Sequence, residues 1–165
     1  MTHKIICNIA HNIFKQTYNK YQNSFTQLSN QTLIHLIIAK TTRVKTLLQK
    51  NQTTGLTNEH IHHNLYAIIN YSILSIILQQ NNNKWTTQNI TQKHQQTLNQ
   101  ITKLYTKKTT DYNQQWKTIP PIAHIEIILM KLHRILSLTK SNQQTNTTHE
   151  LTDIINYSIF TIALT

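Results

Sequence analysis

Ile68-Ile69-Asn70-Tyr71-Ser72-Ile73 recurs, residue for residue, as Ile154-Ile155-Asn156-Tyr157-Ser158-Ile159. A six-residue identity within one chain of 165 residues marks an internal repeat rather than coincidence. The likeness extends upstream of each copy. A basic pair at helical spacing precedes both, Lys40 with Arg43 and Lys131 with Arg134, and further back Tyr21-Gln22-Asn23-Ser24-Phe25 answers Tyr112-Asn113-Gln114-Gln115-Trp116. Tyr21 stands 19 positions before Lys40 and Tyr112 stands 19 before Lys131, so the register holds without a gap. The chain reads as a tandem duplication: residues 1–80, a short boundary at 81–84, and residues 85–165.

Apolar residues recur at helical spacing in both units. The first helix is expected near residues 4–20 with Ile5, Ile9, Ile13 and Phe14 on one face, followed by a polar loop over 21–30. Leu33, Ile34, Ile37, Ile38, Val44, Leu47 and Leu48 predict a second helix over 31–50, and Gly55 suits its stop. A third runs from about Thr57, past Glu59, to Gln79. In the second unit, Thr87 or Asn89 would cap a helix reaching about Thr109. Pro120-Pro121 introduces another over 122–138, and Thr148 begins the last, which ends near Ala163. One glycine and two prolines argue against a turn-rich β fold. The expectation is an all-α, six-helix bundle made of two tandem three-helix repeats with approximate internal twofold symmetry.

A formal net charge of +11 ordinarily points to nucleic acid or an anionic membrane. Composition gives a different cause. The chain holds one Gly, one Val, two Asp, three Glu and five Ala, all residues whose codons begin with G, and these share no property that selection for basicity would remove. A coding bias against G explains the group together, and the charge follows from lost acids. The lysines are scattered, with no run longer than Lys107-Lys108, so nucleic acid is a disfavoured partner. A single cysteine, Cys7, excludes an internal disulfide and a cysteine-based zinc site, and it fits a reducing, cytoplasmic setting. The N-terminus has no apolar run suited to a secretory signal, and the apolar runs elsewhere are broken by polar residues short of a membrane span.

Polar residues converge in the second unit. Glu150, Asp153, Asn156 and Tyr157 share one stripe of the last helix, and Lys131 and Arg134 lie at i, i+3 on the helix before it. Glu126 sits about 140° around that helix from Lys131. Carboxylates at i, i+3 suit a hard cation such as Mg²⁺, and adjacent Lys and Arg suit phosphate oxygens. The competing reading is a structural ion pair between Asp153 and Arg134 that fixes helix register. His60, His62 and His63 offer imidazoles for zinc but lack a third partner nearby.

Three ordered motifs, Lys108-Thr-Thr-Asp111-Tyr112-Asn-Gln-Gln-Trp116, Glu126-Ile-Ile-Leu-Met-Lys131-Leu-His-Arg134-Ile and Asp153-Ile-Ile-Asn156-Tyr157, resemble the nucleotide modification associated domain 1 family. That is a helical group of bacteria and phages whose members often carry the unit twice. The resemblance covers nearly all of the second unit and most of the first, and it implies involvement with nucleotides. The same motif order is more distantly similar to the MazG-type all-α nucleoside triphosphate pyrophosphohydrolases, in which helical carboxylates bind Mg²⁺. On a nucleotide-handling reading Asp111, Glu126, Glu150 and Asp153 are the expected metal ligands and Lys131, Arg134 and Lys108 the expected phosphate contacts. Asn156, Tyr157, Tyr112 and Trp116 would shape the pocket, with Lys40, Arg43, Asn70 and Tyr71 as their first-unit counterparts.

The departures are one-sided. The family's Asp-Tyr-Gly is here Asp111-Tyr112-Asn113, with Asn as the substitute that best tolerates positive φ. In the first unit Lys20, His35, Asn64 and Ala67 stand where the second has Asp111, Glu126, Glu150 and Asp153. Any cation site would therefore belong to the second unit, leaving the first a structural or substrate-contacting role. Three functions follow as expectations: a nucleotide-handling protein acting as a Mg²⁺-dependent pyrophosphohydrolase, a non-catalytic helical scaffold that could form homo-oligomers, and a nucleic-acid binder.

Overall fold

The computed structural model of the chain describes residues 1–54, 58–111, 114–141 and 146–165, with backbone alone at 51–54 and 108–111. Six helices carry the described fold: α1 (His3–Tyr21), α2 (Asn30–Thr54), α3 (Asn58–Gln80), α4 (Ile90–Asp111), α5 (Pro121–Lys140) and α6 (Thr148–Leu164). Among the described residues there is no strand. Gly55 and Thr57, expected at a helix stop and start, lie outside the described residues.

The helix ends follow from local chemistry. Thr2 Oγ1 accepts the Ile5 amide at the start of α1, and Ser29 Oγ accepts the Thr32 amide at the start of α2. Pro121 occupies the first turn of α5, where its missing N–H costs nothing. The end of α3 closes with Asn83 N–H donating to the Leu78 carbonyl and Asn82 N–H to the Gln79 carbonyl, with Asn82 at φ 53°. Gln22, Asn83, Asn89 and Gln114 also take positive φ, so amide side chains stand at turns where glycine is the usual residue. Asn89 stands immediately before α4, where its carbonyl accepts the Lys93 amide, and α6 begins at Thr148 as expected, with Thr147 before it. Thr147 donates from both its amide and its hydroxyl to Gln79 Oε1, tying the start of α6 to the end of α3.

Two local expectations need correction. The stretch foreseen as a loop after α1 contains a 3-10 turn, Gln22–Gln27, and a second such turn, Gln115–Thr118, occupies the matching place before α5. Of the face foreseen for α1, Phe14 is buried and Ile9 and Ile13 are partly buried against the core, while Ile5 is 48% exposed and Ile6, Cys7 and Ala10 take the buried positions instead. The small side chains of Cys7 and Ala10 let α1 approach its neighbours closely. Asn70 Nδ2 on α3 reaches the Ala10 carbonyl at 3.1 Å.

α3 and α6, which carry the repeated hexapeptide, pack on each other at the centre, and α2 and α5 pack against them and against each other. α1 lies across α3, α4 and α6. One apolar core runs through both units, from Ile6 and Leu33 to Ile128 and Ile162. α3 is long and apolar enough to cross a membrane by composition, contrary to the reading that all apolar runs fall short, but 72% of that stretch is buried by the other helices.

The units also exchange polar contacts. His94 on α4 lies 2.9 Å from Asn70 Oδ1 on α3 and stacks on Phe14, ring centroids 4.1 Å apart. His3 on α1 lies 3.4 Å from Asn156 Oδ1 on α6 and stacks on Tyr105 at the same 4.1 Å. In the repeat register His3 corresponds to His94, Phe14 to Tyr105 and Asn70 to Asn156. The first helix of each unit thus places its histidine against the last helix of the other.

Candidate functional site

In the second unit the charges neutralise one another. Lys131 Nζ lies 2.8 Å from Asp153 Oδ2 and 3.1 Å from Glu150 Oε2, and Arg134 Nη1 lies 3.4 Å from Glu150 Oε1. His149 Nδ1 adds a contact of 3.5 Å to Asp153. The side chains of Lys131, Glu150 and Asp153 are all less than a fifth exposed. Burial pulls the Lys131 ammonium toward its neutral form, but the hydrogen bonds it donates to Asp153 and Glu150 and their negative charges outweigh that, so its pKa is raised. Glu150 and Asp153, at i and i+3 on α6, share Lys131 as their counter-ion. The proposed structural pair is repartnered, with Asp153 on Lys131 and Arg134 on Glu150.

Glu126 does not join them. It lies on the other side of α5, 57% exposed, where Oε1 is 3.1 Å from Lys45 Nζ on α2. Among the described residues no three His, Cys, Asp or Glu side chains gather as metal ligands would. The position that a Mg²⁺ shared by Glu150 and Asp153 would take is held by the Lys131 ammonium. These donors therefore do not fit the cation as they stand. Asp111, Tyr112 and Lys108, the remaining members of the foreseen site, lie outside the described side chains.

The aromatic residues of this unit fill space. Trp116 stacks on Phe160 with centroids 4.5 Å apart and an interplanar angle of 8°, and its carbonyl accepts from His124 Nε2 at 3.1 Å. Tyr157 packs edge-on to Phe160 and beside His124. Asn156 is buried and bonded to His3.

The first unit is different at the corresponding place. A cavity of about 530 Å³ opens between α1, the first 3-10 turn, α2 and α3, lined by Phe14, Tyr18, Tyr21, Phe25, Tyr71, Lys40, His63, Ala67 and Asn70, among others. The volume falls within the roughly 300–1,000 Å³ of small-molecule sites. Its origin is legible residue by residue. Where the second unit has Trp116 stacked on Phe160, the first has the smaller Phe25 and Leu74, both on the cavity wall. Where Asp153 draws Lys131 to α6, Ala67 leaves Lys40 without an acid: no ion pair involves Lys40 among the described residues.

One edge of the cavity is held by Trp85, whose Nε1 donates to the Leu28 carbonyl at 2.7 Å and whose ring meets Phe25 edge-on at 5.1 Å. At the mouth Tyr21 is 55% exposed, with Lys20 Nζ 5.2 Å from its ring centroid. Of the first-unit residues foreseen for a pocket, Lys40, Asn70 and Tyr71 line it; Arg43 is exposed and is not on its wall. Asn70 is mostly engaged, donating to Ala10 and accepting from His94. Phe14, Tyr18, Leu28 and His63 were not foreseen, because they come from three different segments with no shared spacing. Tyr21 and Phe25 carried a signal, since the repeat aligns them with Tyr112 and Trp116.

A family model described as nucleotide modification associated domain 1 matches residues 18–78 and 108–164, two segments that fit the tandem units. No curated protein and no solved structure matches the chain.

Proposed function

The chain belongs to the nucleotide modification associated domain 1 family, and on that premise we propose that it binds nucleotides in the cavity of its first unit. The observation that carries this reading is the conjunction, in one cavity of about 530 Å³, of several aromatic rings with an ammonium that has no acidic partner among the described residues. Rings give a base a face to stack on, worth about 1–3 kcal/mol per base in single-stranded nucleic-acid complexes. Lys40 offers a phosphate its charge and its donors. In the second unit the corresponding lysine is already satisfied by two carboxylates, and the corresponding aromatic space is filled by Trp116 on Phe160.

Calorimetric titration of the whole chain with a nucleotide panel, with and without Mg²⁺, tests this. Saturable binding of one nucleotide per chain, lost in Lys40→Met and kept in Asp153→Asn, is the expected result. Binding that survives Lys40→Met and vanishes in Asp153→Asn would move the site to the second unit. It would revive the Mg²⁺-dependent pyrophosphohydrolase reading, with pyrophosphate release as its assay.

A scaffold reading has its own support, because Lys131, Arg134, Glu150 and Asp153 pin α5 to α6 as a register-fixing network would. The two readings divide the units between them: packing in the second, ligand in the first.

A further inference from the structure

Building on the cavity as the nucleotide site, we infer that its ligand is a nucleoside monophosphate held without a divalent cation. The inference rests on the charge of the wall. Lys40 and His63 lie on it, and among the described residues no Asp or Glu does. All four positions that are acidic in the second unit are neutral or basic here, as Lys20, His35, Asn64 and Ala67. Nucleoside triphosphates are usually bound with Mg²⁺ held by one or two carboxylates, and this cavity offers none. A phosphomonoester carries a charge of about −1.5 to −2 at neutral pH, which the Lys40 ammonium on the wall, helped by Lys20 5.2 Å from the ring of the lining residue Tyr21, can balance. A triphosphate would bring further negative charge into a space where, among the described residues, no second ammonium or guanidinium lines the wall.

The base is assigned to the aromatic side. Tyr18 and Phe25 lie with ring centroids 6.5 Å apart and tilted by 44° on one wall, and Tyr71 stands on α3. Lys40 reaches in from α2, so a ligand with a flat apolar end and a single charged end fits the distribution of the lining.

The test uses the whole chain and calorimetry in EDTA, with adenosine, guanosine, cytidine, uridine and thymidine compounds as nucleosides, monophosphates and triphosphates, and with inorganic phosphate. The expected result is one monophosphate bound per chain, the matching nucleoside weaker by about tenfold or more, as loss of a charge-assisted hydrogen bond implies, and no gain on adding Mg²⁺. Ala67→Asp, which sets a carboxylate where Asp153 sits in the second unit, is expected to weaken the monophosphate at least tenfold by satisfying Lys40. Lys40→Gln, a change at a half-buried surface position, gives the same loss should Ala67→Asp unfold the chain. Triphosphates binding more tightly than monophosphates and only with Mg²⁺ would overturn this inference while leaving nucleotide binding in the cavity intact. Inorganic phosphate binding as tightly as any nucleotide would overturn it too, and binding by no nucleotide at all would remove both.

Discussion

The imidazole of His94 is held 2.9 Å from the amide oxygen of Asn70, deep in the fold and between the two halves of a duplicated chain. The bond fixes its own polarity. Asn70 Nδ2 donates to the Ala10 carbonyl, so Oδ1 is the acceptor and His94 carries its proton on Nε2. His94 Nδ1 is then bare and accepts from His11 Nδ1 at 3.0 Å. The related chain on the other side runs from Thr102 through the Cys7 thiol to His3 and then to Asn156. Both tie the first helix of one unit to the last helix of the other.

Removing these amides is expected to have unequal effects. Asn70→Ala leaves the buried Nε2–H of His94 without an acceptor and should cost about 1–3 kcal/mol. Asn156→Ala breaks a longer, 3.4 Å contact whose partner, His3, is less buried than His94, and should cost less than about 1 kcal/mol. Urea unfolding followed by circular dichroism measures both, and equal losses would mean that the two contacts are equivalent.

Acid should destabilise the fold through His94. Burial, and then the charge of His11, lower its pKa to about 3 from an ordinary 6.5, so the unfolded chain binds a proton over that window that the native chain refuses. Stability therefore falls as pH drops from about 6.5 toward 3, by up to ~1.4 kcal/mol per pH unit for this one group. Burial depresses His3, His11, His62 and His124 in the same direction. In His94→Gln the slope of stability against pH should flatten by about one proton; an unchanged slope would assign the acid sensitivity elsewhere.

Two lysine pairs at the same distance should differ in worth. Lys131→Met leaves Glu150 and Asp153 facing each other with little solvent, and should cost about 2–3 kcal/mol, short of the 3–5 typical when one partner of a buried pair is removed. Lys45→Met breaks an exposed pair with Glu126 and should cost under about 1 kcal/mol. Because the Lys131 pKa is raised, its contribution is complete below the ordinary lysine value near 10.5 and disappears only as pH climbs through the higher folded one. Denaturation of Lys131→Met and the parent chain at neutral and strongly alkaline pH should show the gap closing only in alkali.

Cys7 is expected to report on opening of α1. It is 4% exposed and burial pushes its thiol pKa up, so both access and thiolate are scarce in the native state. Labelling by a thiol reagent should be slow and set by local unfolding, and should accelerate in Asn70→Ala, which loosens α1 from α3. Rapid labelling of the parent chain would show that α1 does not stay docked.

Much of this protein was written in the order of its residues. Helical periodicity, the scarcity of glycine and proline, and the hexapeptide at 68–73 and 154–159 determined an all-helical chain with six helices and a repeated plan, because those depend on spacing along one strand of chain. The stripe Glu150, Asp153, Asn156 on α6 was equally readable, since it lies within a single helix. What the stripe faces was not. Whether Asp153 meets a cation or the Lys131 ammonium depends on how α5 is rotated against α6, and that rotation is set by packing of the whole core. Glu126 went to Lys45 because α2 lies alongside α5, a neighbour no spacing within α5 reveals. The cavity of the first unit is tertiary in the same sense. Its walls come from α1, a 3-10 turn, α2 and α3, and it stays open because Ala67, Phe25 and Leu74 replace larger or charged counterparts at three separate places that only the fold brings together.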